Sequence, residues 1–154
     1  LTDDGAAYVE LMTGTFSNNQ PDYSWIKPYE VKQFSQYWYP LVAIGPAHEA
    51  NLEAAVHLER TGGGARLGVA VTRSRPAAVV RLTERGRPVF EHAVDLAPEA
   101  PLRLDDIELA KGTRLTDLRL AVFHGGRELI SYQPQAVARE DPPPPAVEPP
   151  ASKD

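Results

Sequence analysis

The sequence has no cysteine and a single methionine among its 154 residues. Without cysteine there is no disulfide framework, no thiolate zinc site and no thiol nucleophile. No apolar run approaches the roughly 20 residues that a membrane helix needs, so no membrane partner is expected. The net charge is −5, with 21 acidic residues against 16 basic ones. That balance argues against nucleic acid as a partner, which calls for a concentrated basic surface. Leu1-Thr-Asp-Asp-Gly5 has neither the basic end nor the apolar stretch of a secretory leader, and a cytoplasmic location is the expectation. The chain does not open on its only methionine, Met12, so it reads as an excerpt of a longer protein.

Other scarcities are local. Arginine is absent before Arg60, and every arginine lies from there on. Aromatics show the reverse. Tyr8, Phe16, Tyr23, Trp25, Tyr29, Phe34, Tyr37, Trp38 and Tyr39 crowd the first 40 residues, leaving Phe90, Phe123 and Tyr132 for the rest. Two halves so unlike suggest separate units. The reading is three parts: an aromatic-rich segment over 1–40, a run of short strands over 41–139, and a tail over 140–154. In the tail, six of the 15 prolines fall within 142–150. Such a segment buries too little apolar surface to offset its ordering entropy and suits a semi-rigid spacer.

The middle part alternates with the period of a β-strand. Leu52, Ala54, Val56 and Leu58 share one face, with Glu53, His57 and Glu59 opposite. Leu67, Val69 and Val71 repeat the pattern, as do Ala78, Val80 and Leu82. Phe90, Val94 and Leu96 share a face with His92, Leu118, Leu120 and Val122 make another strand, and Leu129-Ile130 lies in the last. Turn signals separate them at 62–64, 85–87, 98–101, 111–112 and 125–126. His124-Gly-Gly-Arg127 is the strongest hairpin signal of all. Roughly seven short strands at this spacing predict an all-β fold, an immunoglobulin- or fibronectin-III-like β-sandwich. Ala47–Arg60 has a helix-favouring composition, and its period of two tips it to strand.

The four histidines, His48, His57, His92 and His124, are not spaced with one another or with carboxylates as a metal site requires. They suit a surface or hydrogen-bonded core role, and no metal or cofactor is expected. The arginines from Arg73 to Arg87 have no interleaved aromatics and suit a solvated, ion-paired face.

Candidate chemistry lies in the first forty residues. Tyr8, Glu10 and Met12 fall on one side of an alternating stretch. A carboxylate between an aromatic and a thioether is desolvated, which raises its pKa and poises it as a general base or acid. The same alternation suits an exposed strand glutamate. Asn18 to Trp25 follows, in which Gln20 and Asp22 could bind the hydroxyls of a sugar while Trp25 stacks on its C–H face; an ordinary turn-rich loop has the same composition. Lys27-Pro-Tyr-Glu30 reads as a turn entering a strand over Val31 to Tyr39, aromatic on both faces and so suited to core packing.

Tyr8–Pro40 resembles the final strands of a galactose-mutarotase-like β-supersandwich. The resemblance is to a bacterial family in which such a domain precedes tetratricopeptide repeats, and Ile44–Arg60 resembles the opening of the sandwich that follows it. The fold implied is an accessory β-sandwich preceded by terminal strands of the supersandwich. In aldose epimerases a late-strand glutamate is the catalytic base, followed by a Pro-Asp loop and a Pro-Gly-Glu turn. Glu10, Pro21-Asp22 and Pro28-Tyr-Glu30 resemble these in order. The resemblance implies Glu10 as catalytic base, and Tyr8, Gln20, Asp22 and Trp25 are the expected sugar-binding residues. The chain departs from that pattern at Leu11-Met12, where the epimerases have Thr-Gln, and at Tyr29, where they have glycine. Their acid is a histidine on an earlier strand, which none of the four here matches.

The expected function is that of an accessory, non-catalytic sandwich within a carbohydrate-recognising or carbohydrate-active multidomain protein. Its partners would be a sugar, through the parent domain, and the adjacent domains of the same chain. Two alternatives stand beside it. The parent could be a glycoside-active or epimerising enzyme using Glu10, or residues 41–139 could be a structural spacer or protein-interaction module ahead of the repeats.

Overall fold

The computed structural model describes residues 27–136. The chain divides into two compact units, Leu1–Trp38 and Tyr39–Asp154. In the first, Lys27 to Glu30 form a turn, as Pro28 predicts. The Glu30 N–H donates to the Lys27 carbonyl at 2.9 Å, and the Lys27 N–H donates to the Glu30 carboxylate at 2.9 Å. The strand expected over Val31 to Tyr39 is not formed, and Phe34, Tyr37 and Trp38 are exposed rather than packed in a core. A strand with two apolar faces holds only inside a sheet that satisfies its backbone and covers both sides. Among the described residues no strand pairs with this one.

The second unit is a sandwich of two antiparallel four-stranded sheets, the all-β fold that alternation predicts. Its strands are β1 (Glu49–Ala50), β2 (Ala54–Arg60), β3 (Gly64–Val71), β4 (Arg75–Glu84), β5 (Arg87–Leu96), β6 (Leu102–Glu108), β7 (Leu118–His124) and β8 (Arg127–Tyr132). One sheet has the order β1-β2-β3-β6 and the other β5-β4-β7-β8. The only helical element among the described residues is a 3₁₀ turn at Leu115–Asp117. The chain turns at the predicted glycines. Thr61 N–H closes on the Gly64 carbonyl between β2 and β3, Arg85-Gly86 joins β4 to β5, and Gly125-Gly126 joins β7 to β8. Both residues of the last turn have positive φ, +57° and +76°, as a tight two-residue hairpin requires.

The core lies between the sheets. Val56, Leu58, Leu67 and Val69 of one sheet meet Val80, Leu82, Leu118, Leu120 and Val122 of the other, all essentially inaccessible. Each contributes about 1.5–3 kcal/mol by leaving water, and their summed burial replaces the cross-link that cysteine would supply.

Three local expectations change. Leu52 stays outside β2 and is half exposed, because the Asn51 side chain starts a turn there. Its Oδ1 accepts the N–H groups of Glu53 and Ala54 at 2.8 and 3.0 Å. β6 escapes the alternation reading because its register shifts between the pairs Ala65–Ile107 and Leu67–Leu104. The shift lets Leu102, Leu104 and Ile107 all reach the core although Asp105-Asp106 interrupts their period.

The third is β2, buried on both faces from Ala54 to Leu58. Its outer face is covered by the segment running from Tyr39 to His48. Ile44, only 2% exposed, clusters there with Ala55 and Ala70, and with Tyr39 and Ala47 at the margin. Gly68 makes the space: a Cβ at that position would lie 2.6 Å from the Ile44 Cβ and 2.7 Å from its carbonyl oxygen. The Tyr39 hydroxyl donates to the Asn51 and Ala54 carbonyls at 3.0 and 3.4 Å, and burial pushes its pKa up. This strap is tied to the outside of the sheet at both ends, since the His48 N–H donates to the Val56 carbonyl at 2.8 Å.

Candidate functional site

Tyr8, Glu10, Gln20, Asp22 and Trp25 lie outside the described residues. The described part of the chain builds two other arrangements of chemically capable side chains.

The first is a groove on the outer face of the β5-β4-β7-β8 sheet, a cavity of about 620 Å³. That size lies within the range of about 300–1,000 Å³ typical of small-molecule sites. Outward positions on three strands meet in it. Arg81 of β4 stands opposite Glu91 of β5, and Val79 of β4 stands opposite Phe123 of β7. The Arg81 Nε donates to the Glu91 carboxylate at 2.6 Å, and its guanidinium lies over the Phe123 ring, 5.0 Å from the centroid. Both ionic side chains are about half exposed, so the pair is reachable.

Irregular backbone shapes the groove. Pairing of β4 with β5 slips between Arg75 and Ala78, and pairing of β7 with β8 slips between Val122 and Phe123. Each slip bends its strand and re-aims the side chains beside it. Ala77, inside the first slip, has a φ of +51° and donates its N–H to Asp95 at 2.7 Å. A left-handed alanine is strained, and strain of this kind concentrates at functional sites. His124 and the Gly125-Gly126 turn form one end of the groove.

The second arrangement is a ring stack. His48 lies 4.7 Å from His57 and 5.3 Å from Tyr132, centroid to centroid. It thereby links β2 and the strap to β8 of the opposite sheet. The Leu58 N–H donates to His48 Nδ1 at 3.1 Å, so that nitrogen carries no proton. His57 Nδ1 donates to the Pro46 carbonyl at 2.8 Å, and its Nε2 faces the Glu59 carboxylate at 3.4 Å. Burial lowers the His48 pKa, repulsion from His57 adds to this, and Glu59 opposes it. His57 is a buried, hydrogen-bonded core histidine, and His48 is an exposed one stacked on it. Among the described residues no group of histidines and carboxylates is placed to hold a metal.

Three arginines of the run are ion-paired, through Arg75–Glu53, Arg81–Glu91 and Arg85–Asp117, and Arg75 is largely buried rather than solvated. Hydrogen bonds from Arg114 and then Arg85 hold the Asp117 carboxyl well below the usual carboxylate range. Arg103 and Arg66 do the same for Asp105, and Arg119 for Glu128. These carboxylates stay charged at neutral pH and are engaged by their arginines.

Phe123, Arg81 and Glu91 are far apart in the sequence and no motif marks them as a site. Phe123, one of only three aromatics after residue 40, was the available signal.

No solved structure matches the chain. A family model described as "YphG-like protein, second domain" matches residues 49–132, which takes in every strand of the sandwich from β1 to β8. The chain therefore belongs to the YphG-like family and carries its second domain.

Proposed function

We propose that this sandwich is an accessory, non-catalytic domain of a larger carbohydrate-recognising protein. The strap over the first sheet carries the reading. A chain that enters along Tyr39–His48 and seats Ile44 above Gly68 is held at a defined point on the sandwich, as suits a module that follows another domain. The family description as a second domain supports a domain before it. The resemblance of Tyr8–Pro40 to the last strands of a mutarotase-like supersandwich suggests which one, and the Pro-rich stretch over 142–150 suits a spacer toward tetratricopeptide repeats. The described carboxylates held low by arginines fit a supporting role better than a catalytic one.

Titration of the intact parent, wild type and Glu10→Gln, with neutral mono- and oligosaccharides tests the carbohydrate part. Binding by the wild type is the expected result, and failure of both proteins to bind any sugar overturns it. Loss of turnover with binding retained in Glu10→Gln would instead mark the parent as an enzyme with Glu10 as its base or acid.

A further inference from the structure

We infer that the groove over Phe123 is itself a binding site for a neutral sugar ring. The inference rests on the groove's own residues, and shares only its ligand class with the reading above.

Three features converge on that class. The first is charge. Arg81 and Glu91 neutralise each other across the groove, so a charged ligand would have to displace one partner from the other. A neutral ligand can use both. The pair engages one guanidinium nitrogen and one carboxylate oxygen. The terminal guanidinium nitrogens and the second carboxylate oxygen remain to serve a ligand as donors and acceptor. Adjacent hydroxyls each donate and accept, so a vicinal diol complements a guanidinium beside a carboxylate. Hydrogen bonds to charged groups are the stronger kind.

The second feature is apolar surface. Val79, Ala77 and Phe123 line the same cavity. A pyranose presents C–H groups on its faces and hydroxyls around its rim, and a groove with apolar walls and one polar pair matches both. The third is construction. Two register slips and a left-handed alanine meet at this one place on the sheet. Bulges of this kind are over-represented beside binding sites, where they set side-chain direction. At the end of the groove, Gly125 and Gly126 leave open space where side chains would otherwise stand.

The test is a two-dimensional ¹⁵N–¹H NMR titration of the full 154-residue chain with glucose, galactose, mannose and cellobiose. Sodium sulfate and sodium galacturonate serve as charged comparisons. The expected result is saturable shifts of the Phe123, Gly125 and Gly126 amides with a neutral sugar, at a Kd on the order of 1 mM. Glu91→Gln, which alters one exposed group, should weaken that binding about ten-fold or more while leaving the rest of the spectrum in place. Phe123→Leu, which keeps an apolar side chain, should weaken it as well, and Glu10→Gln should leave it unchanged. Shifts confined to residues before Lys27 would overturn the groove site and leave the parent's sugar recognition standing. No saturable shift with any neutral sugar, or a response to the charged compounds alone, would also overturn it.

Discussion

On the outer face of the β1-β2-β3-β6 sheet stand Ala55, Gly68 and Ala70; on that of the β5-β4-β7-β8 sheet stand Val79, Arg81, Glu91 and Phe123. The small residues leave a depression one side chain deep, and the chain's own strap fills it with Ile44. The larger, charged residues on the other sheet are left open to solvent and paired with each other. Both sheets close on the same core. At these two patches side-chain size separates a surface the molecule covers for itself from one it leaves open, while Glu59, Arg66, Arg103 and Asp105 form an ion-paired cluster elsewhere on the first sheet's outer face.

The largest effect should come from emptying the covered face. Ile44→Ala removes a nearly inaccessible side chain, and should lower unfolding stability by about 2–5 kcal/mol in urea titrations. Gly68→Ala attacks the same contact from below. Its added Cβ would meet Ile44 at 2.6 Å, and the strap must shift, at a cost of about 1–3 kcal/mol. Faster proteolysis between Tyr39 and His48 would report that shift directly. If either variant is as stable as wild type, the strap is not the anchor described above.

Acid should divide the two faces by pH. The His48 pKa is lowered from 6.5 in the folded chain. Above 6.5 the ring is neutral in both states. Below it the unfolded chain takes up a proton that the folded one resists, so stability falls as pH drops from about 7 toward 5. His48→Gln, whose side-chain oxygen can still accept the Leu58 N–H, should flatten that limb. Asp117 and Glu128 have lowered pKa values beside their arginines. Their stabilisation is fully present above the ordinary values of 3.8 and 4.5 and is lost as pH falls through the folded values. This second, more acidic limb should persist in His48→Gln. Urea midpoints measured from pH 8 to pH 2 would resolve the two, the acid limb beginning below about pH 4.5.

The smallest effect belongs to the open face. Glu91→Gln breaks a half-exposed ion pair, and should change stability by no more than about 0.5 kcal/mol. A larger loss would mean that Arg81 and Glu91 hold the sheet together rather than waiting for a ligand.

Much of the sandwich was legible in the sequence. Leu67-Val69-Val71, Ala78-Val80-Leu82 and Leu118-Leu120-Val122 point inward as their period requires, and the glycine turns fall where they were expected. β6 was hidden because a register slip hides the period that alternation reading depends on. By alternation His57 lies opposite the core, yet it is buried, since nothing in its own strand announces the strap above it. The groove was illegible for the same reason: Arg81, Glu91 and Phe123 are far apart in the chain and meet only through strand pairing.

The sequence by itself determined an all-β chain, its turns, and which side of most strands faces inward, because alternation and glycine placement act over a few residues. The tertiary structure decided what happens on the outside. Whether an outward face is covered, as at Gly68, or left as a groove, as at Phe123, depends on segments distant in sequence and on register slips of a single residue. Local periodicity carries no record of either.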